Sequence, residues 1–246
     1  MGKHPPEIMV TEYLDSNIKE TEMKHVLVPV LIGFLLLLGP IAAKAMPSSG
    51  EIDRIEAATH VFNDFVGRIS PAVLANAQGI AIIPGAVKAG FIFGGELGQG
   101  ILVRRTPNGS WSPPAFISVA GGTFGPQIGV AASDIVLVFN TARSVEYIEN
   151  GRLKLGGDAS VTAGLVGADL DVTTDIADVY SYTRSAGAFI GAVLEGAVLT
   201  FDSGMNSNFY GVSDPLKMQA REIPEPARRL DCTVARATNS SSEYCS

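Results

Sequence analysis

Gly79–Arg105 reads GIAIIPGAVKAGFIFGGELGQGILVRR, and the way this stretch folds decides the fold of the chain. Two apolar runs, Ile80–Ile83 and Ala89–Phe93, flank Pro84-Gly85, a dipeptide that marks a turn. A third run, Ile101–Val103, follows the glycines Gly94, Gly95, Gly98 and Gly100. Short runs rich in Ile, Val and Phe, bounded by Gly and Pro, read as strands. Glycines at this density, Gly90 among them, let a strand bulge or let another backbone come close. The stretch therefore predicts strand, turn, strand, glycine-shaped connection and strand, closing on Arg104 and Arg105. It is a sheet nucleus that the other apolar segments extend.

Upstream, Ile52, Ile55, Ala58 or Thr59, Phe62 and Val66 recur at helical spacing, with Ser49 to cap the helix and Gly67 to end it. Ser70-Pro71 opens a second short helix through Asn76, with Ser as cap and Pro at the first helical position. Downstream, Pro107-Asn108-Gly109 is a turn, and Ala115–Ala120 is a strand. Gly121–Gly125 repeats the glycine device, Gln127–Ala132 is extended, and Ile135–Phe139 reads as a buried strand. Thr141–Asn150 is helical up to Gly151. Lys154–Ala163, Ala168–Thr173, Val179–Tyr182 and segments within Phe189–Phe201 supply the remaining strands. The predicted class is α+β and mainly β, with Gly-rich antiparallel sheets in a sandwich or barrel-like arrangement and helices at the N-terminal end. Residues 212–246, with Pro224, Pro226 and a Thr/Asn/Ser-rich end, read as a poorly ordered tail.

Hydrophobic residues make up 46% of the 246 and charged ones 17%, an apolar balance to which one segment contributes heavily. Met23-Lys24-His25 precedes the apolar run Val26–Ala42, and Ala43-Lys44-Ala45 supplies an A-x-A site. This is the layout of a secretory signal peptide over 23–45, cut after Ala45; the alternative is an uncleaved anchor formed by residues 26–42. Residues 1–22 are polar and acidic and read as an extension outside the natural start, or as a cytoplasmic one. Removing residues 1–45 takes 4 Lys and 5 Asp/Glu from the totals of 18 and 25, which leaves 14 and 20 and a net charge of −6. An acidic chain lacks the broad basic field that nucleic-acid binding requires, so no nucleic-acid partner is expected. Export places the chain in an oxidising compartment, where Cys232 and Cys245 can form a small loop disulfide within the tail, away from the core.

Catalytic material is sparse. Residues 46–246 hold one histidine, His60, on the first helix, and the glycines at 94–100 lack both a P-loop lysine and the G-x-G-x-x-G order. No enzyme activity, cofactor or small-molecule substrate is expected. Asp169, Asp171, Asp175 and Asp178 could offer oxygen ligands, but their spacing is not that of an EF-hand, so they read as solvated carboxylates and no metal is expected. Lys88, Arg104, Arg105, Arg143, Lys154 and Arg184 are candidate anion contacts, with ordinary surface cations paired to nearby acids as the competing reading. Phe91, Phe93 and Phe116 read as core residues, and Trp111 is the candidate interfacial anchor.

Several motifs follow one another in a fixed order: KAGF at Lys88–Phe91, GGxxGxG at Gly94–Gly100, Trp111-Ser112-x-Pro114, and a GGxxGxQxG-like run at Gly121–Gly129. Asp134 and Asn140 come next, then LGGDASVTAG at Leu155–Gly164, YSYTRSAGAFIGAVLEGA from Tyr180, and NFYG at Asn208–Gly211. In that order they resemble the SYLF lipid-binding domain of yeast actin-patch proteins, of animal proteins with SH3 or FYVE modules, and of bacterial exported proteins. The resemblance covers residues 50–211. It implies a non-enzymatic module of the bacterial envelope, periplasmic or membrane-associated, that binds anionic phospholipid of the phosphatidylinositol type. Lys88, Arg104, Arg105, Trp111 and Arg184 become the candidate lipid contacts, with Gly90, Gly94, Gly95, Gly98 and Gly100 shaping the backbone around them. The alternative it implies is a structural or actin-binding-like scaffold with a protein partner and no lipid ligand. The first helix departs from basic animal relatives, carrying Glu51, Asp53, Glu56 and Asp64 against Arg54 and Arg68.

Overall fold

The computed structural model describes residues 49–87, 96–121, 132–164, 177–191, 194–213, 223–242 and 245. The chain enters as α1 (Ser49–Val66) and α2 (Pro71–Asn76), followed by β1 (Gly79–Val87), β2 (Glu96–Arg104), β3 (Ala115–Ala120) and β4 (Ala132–Phe139). Then come α3 (Ala142–Glu149), β5 (Leu153–Lys154), β6 (Val161–Ala163), β7 (Val179–Ser185), β8 (Ala188–Gly191) and β9 (Val198–Phe201). Two helices, α4 (Ser203–Tyr210) and α5 (Glu225–Ala237), complete it. The class is α+β and mainly β, as the sequence predicts.

The strands form one sheet in the order β5-β9-β3-β2-β1-β4-β7-β6, with β8 also paired to β7. β1 lies at its centre, antiparallel to β2 on one side and to β4 on the other. Among the described residues every ladder is antiparallel except that of β6 on β7. The near-continuous apolar runs follow from this position, because a strand covered on both faces needs hydrophobic residues at both parities. Ile80 and Ile82 point to one side with Val103, Ile101, Val136 and Val138, beneath Ile55, Phe62 and Phe65 of α1. Ala81 and Ile83 point to the other, with Leu102, Ile135 and Leu137, beneath Val145 and Ile148 of α3. Each Val, Leu, Ile or Phe among them contributes about 1.5–3 kcal/mol on burial, so the two layers dominate the stability of the sheet.

The glycine reading of the nucleus holds where the structure describes it. A Cβ at Gly100 would sit 2.5 Å from the carbonyl oxygen of Ile82, and one at Gly98 would sit 2.8 Å from Cγ2 of Ile83, so β2 can lie against β1 only without side chains there. Gly90, Gly94 and Gly95 fall outside the described residues, as do Phe91, Phe93 and the segment Ala168–Thr173. Pro84-Gly85 does not end a strand. It is an irregularity inside β1, where the register to β4 shifts between Ile83 and Ala86.

Three expectations are corrected. Lys154–Ala163 is not one strand: Gly156 adopts φ 77°, a turn spans Gly156–Asp158, and β5 and β6 join opposite margins of the sheet. Ser70 stands at the N-cap of α2, but its side chain accepts no capping hydrogen bond there. The region after residue 212 is not uniformly a poorly ordered tail. It carries α5, whose Ala227, Leu230, Val234 and Ala235 are buried in the same layer as α1. Cys232 of that helix is bonded to Cys245, with the two Cα atoms 5.2 Å apart. The disulfide forms, and it anchors to a core helix rather than lying within a free tail.

Candidate functional site

The sequence-predicted cations are divided between two ends of the sheet. At one end, Val87 pairs with Ala132, and Ser133 pairs with Ser185. At the other, Gly79 pairs with both Arg104 and Phe139. The nine residues of β1 separate these ends by roughly 25 Å at about 3.3 Å per residue. Lys88 lies outside the described residues; Val87, the last residue of β1, belongs to the first of these ends. Arg184 belongs to that same end, whereas Arg104, Arg105 and Trp111 belong to the other. Arg184 therefore lies too far from Arg104, Arg105 and Trp111 to share one anion site with them.

Arg184 is the hub of the first end. Its guanidinium donates to Asp134 Oδ2 at 2.6 and 3.1 Å and to Asp64 Oδ2 at 2.5 Å. It also lies 5.8 Å from the ring centre of Phe65 and 5.7 Å from that of Phe189, which pack edge to face. The hydrogen bonds it donates to Asp134 and then to Asp64 hold its pKa above the ordinary arginine value. The other oxygen of Asp134 accepts the Gly85 N–H at 2.9 Å, so one carboxylate ties β7 to the irregularity in β1. The β7–β8 hairpin that presents Phe189 turns in two residues, Ala186 and Gly187, both with positive φ, which matches the right-handed twist of the flanking strands. α1 lies across this end, its first half beside Pro84–Val87 and its last turn against Arg184. Between that first half and β1–β2 runs an open groove of about 670 Å³, lined by Asp53, Arg54, Pro84, Val87 and Gln99 among others.

The second end is closed by its own side chains. Arg104 pairs with Glu149 of α3 at 2.9 Å. Arg105 lies 4.9 Å above the Trp111 ring and donates to the carbonyl oxygens of Ala77 at 2.8 Å and Gly109 at 3.3 Å. Burial lowers its pKa from the usual value. Trp111 is 3% exposed, and its indole N–H donates to Thr238 Oγ1 at 3.0 Å and Ser240 Oγ at 2.8 Å, just beyond α5. A buried ring with a satisfied N–H is a core residue, so the expectation of an interfacial anchor is corrected. Asp178 shows the same use of polar groups: hydrogen bonds from the Ser160 hydroxyl and amide lower its pKa and tie β6 to β7. Asp169, Asp171 and Asp175 lie outside the described residues, and among those described no group of three His, Cys, Asp or Glu is placed to hold a metal ion. His60 is exposed on α1. Arg143 lies 5.6 Å from the ring of Tyr147, and Lys154 is exposed on the marginal strand β5.

Asp64 and Glu149, the partners of Arg184 and Arg104, and Thr238 and Ser240, the partners of Trp111, are absent from the sequence-predicted set. Only α5 left a legible signal, because Ala227, Leu230, Asp231, Val234 and Ala235 recur at helical spacing.

A family described as Ysc84, Las17-binding protein actin regulator, matches residues 120–234, from the end of β3 into α5. The chain is 37% identical over 167 residues to LAS seventeen-binding protein 3 of Saccharomyces cerevisiae, which is 65% of this chain and 36% of that protein. It is 40% identical over 150 residues to SH3 domain-containing YSC84-like protein 1 of Xenopus laevis, covering 59% of this chain and 44% of the relative. The protein of the same name in Homo sapiens gives 40% over 148 residues, 58% of this chain and 43% of the relative. The chain thus spans a third to a half of the length of these relatives. Joined to the order of its motifs, these matches show that the chain is similar to the Ysc84, or SYLF, family, over residues 120–234 for the family itself.

Proposed function

We propose that the domain is a non-enzymatic module of the bacterial envelope that binds anionic phospholipid through the end of the sheet crossed by α1. One observation carries this reading. Val87 of β1, Glu96 of β2, Ala120 of β3, Ala132 of β4 and the Ala186–Gly187 turn all lie at that end, where α1 also lies. The sequence that follows Val87 begins with Lys88, a cation of the type that meets an anionic headgroup. The apolar run 26–42, read as an export signal or an anchor, ends shortly before α1 begins. At the other end Arg104, Arg105 and Trp111 are engaged within the fold, and the reading gives them no lipid contact.

The test is flotation of residues 46–246, which lie within one compact unit. Vesicles of phosphatidylglycerol, of cardiolipin and of a zwitterionic lipid are compared at two salt concentrations. Salt-sensitive flotation with the anionic vesicles is expected, lost several-fold in Lys88→Glu and retained in a folded Arg104→Glu. Equal losses in both variants would overturn the assignment to one end. Absence of flotation with every vesicle would overturn lipid binding and leave a second reading, a protein-docking module. The family description, a Las17-binding actin regulator, and the names of the yeast relatives favour that second reading.

A further inference from the structure

α5 ends in a reversal of the chain. Thr238 caps it, Asn239 takes φ 56°, and the Ser240 N–H donates to the Ala235 carbonyl at 2.9 Å, the bonding of a Schellman turn. The chain then runs back along the helix. Ser242 Oγ donates to Oδ2 of the buried Asp231 at 2.5 Å, and Cys245 joins Cys232. Residues 238–242 thus form a strap whose two hydroxyls receive the Trp111 indole N–H. Beyond Ser242, the described attachment of the strap to the helix is the disulfide, and Cys245 is exposed.

We propose that this disulfide is a redox latch that keeps the strap over Trp111. A dithiol reductant reaches the exposed Cys245 sulfur as a thiolate, the S–S bond breaks, and Cys232 leaves as a thiolate that takes up a proton. The second thiol of the reductant resolves the mixed disulfide. Two cysteine thiols and one cyclic disulfide result, with two electrons passed to the protein. The described contacts that then hold the strap are hydrogen bonds that water can replace, so it frays from its end and leaves the indole without its acceptors. In an oxidising compartment the end carrying Arg105 and Trp111 stays covered. Under reduction it opens an aromatic and cationic surface.

Trp111 is the sole tryptophan of the chain, so its emission reports the strap directly. The full chain is treated with dithiothreitol, thiol release is verified by maleimide labelling, and emission wavelength and acrylamide quenching are recorded. A doubly substituted chain, Cys232→Ser with Cys245→Ser, is measured without reductant. A red shift and increased quenching in both samples, reversed on reoxidation of the native chain and with far-UV circular dichroism unchanged, are expected. Emission and quenching that stay fixed once both thiols are labelled would overturn the latch. A shift accompanied by loss of the far-UV signal would overturn it too, since the disulfide would then support the whole fold.

Discussion

At one end of the sheet Arg184 lies among Phe65, Phe189 and the carboxylates of Asp64 and Asp134; at the other, Arg105 lies on Trp111 with carbonyl oxygens as its acceptors. The residue type is the same and the chemistry is not. Arg184 is charge-balanced and partly exposed, so it can hold α1, β4 and β7 together while water remains close. Arg105 has no carboxylate among its described partners and sits on a ring buried under the strap, an arrangement that plugs the sheet. The contrast shows why a list of cations overstates an anion site. The fold had already engaged Arg104, Arg105 and Arg184 before any ligand arrives, and the distance between the ends separates the rest.

The contrast breaks most decisively at Trp111. Replacing it with Ala removes a buried ring and strands the strap, and a loss of about 3–5 kcal/mol is expected in urea unfolding followed by circular dichroism. A loss under about 1 kcal/mol would mean that this end is not plugged at all.

Tyr182, on β7 between the two ends, gives an intermediate effect that depends on pH. Desolvation, with a smaller contribution from Tyr180, pushes its phenol up to about 12, and its hydroxyl has no hydrogen-bond partner among the described residues. The folded pKa is raised above the unfolded value, so the native state keeps a proton that the unfolded chain sheds. Stability held below about pH 10 is then lost as the pH rises towards and through 12, by roughly 2–3 kcal/mol in all. Tyr182→Phe should match the native chain within about 1 kcal/mol at neutral pH and resist the alkaline loss. Parallel alkaline curves for the two proteins would count against the burial of this hydroxyl.

The smallest effect is expected at the Arg184 hub. Arg184→Met keeps packing against Phe65 and Phe189 while removing ion pairs that water can reach, a loss of about 1 kcal/mol or less that shrinks in high salt. The measurement that sharpens the comparison is amide exchange at Gly85, whose N–H depends on Asp134. Faster exchange there, with no change near Trp111, is the expected pattern. Equal acceleration at both places would show that the ends are not independent.

The central sheet was legible because its signal is local. Ile80–Ile83, Ile101–Val103 and Ile135–Phe139 are short apolar runs between breakers, and each became a strand or part of one. The helix α5 was misread because composition outweighed periodicity. Pro224 and Pro226 suggested an unstructured tail, yet Pro224 occupies the N-cap of α5 and Pro226 its first turn, where proline is tolerated. The site was less legible still, since its contacts span long separations: Arg184 meets Asp64 across 120 residues, and Trp111 meets Thr238 across 127. No spacing rule along the chain reports pairings of that length. Trp111 was misplaced for a related reason. An amphipathic ring suits an interface or a core equally, and only the arrival of Thr238 and Ser240 decides between them.

The packing of α5 on α1 also governs when the domain can fold. Glu56 and Arg229 meet at 2.8 Å although 173 residues separate them, and Phe62 shares its layer with Leu230 and Val234. A chain emerging from its N-terminus first, whether from a ribosome or a translocation pore, cannot complete that layer until nearly its whole length is free. Such high contact order makes folding slow and late and leaves the first helix without its packing partner until the last one arrives.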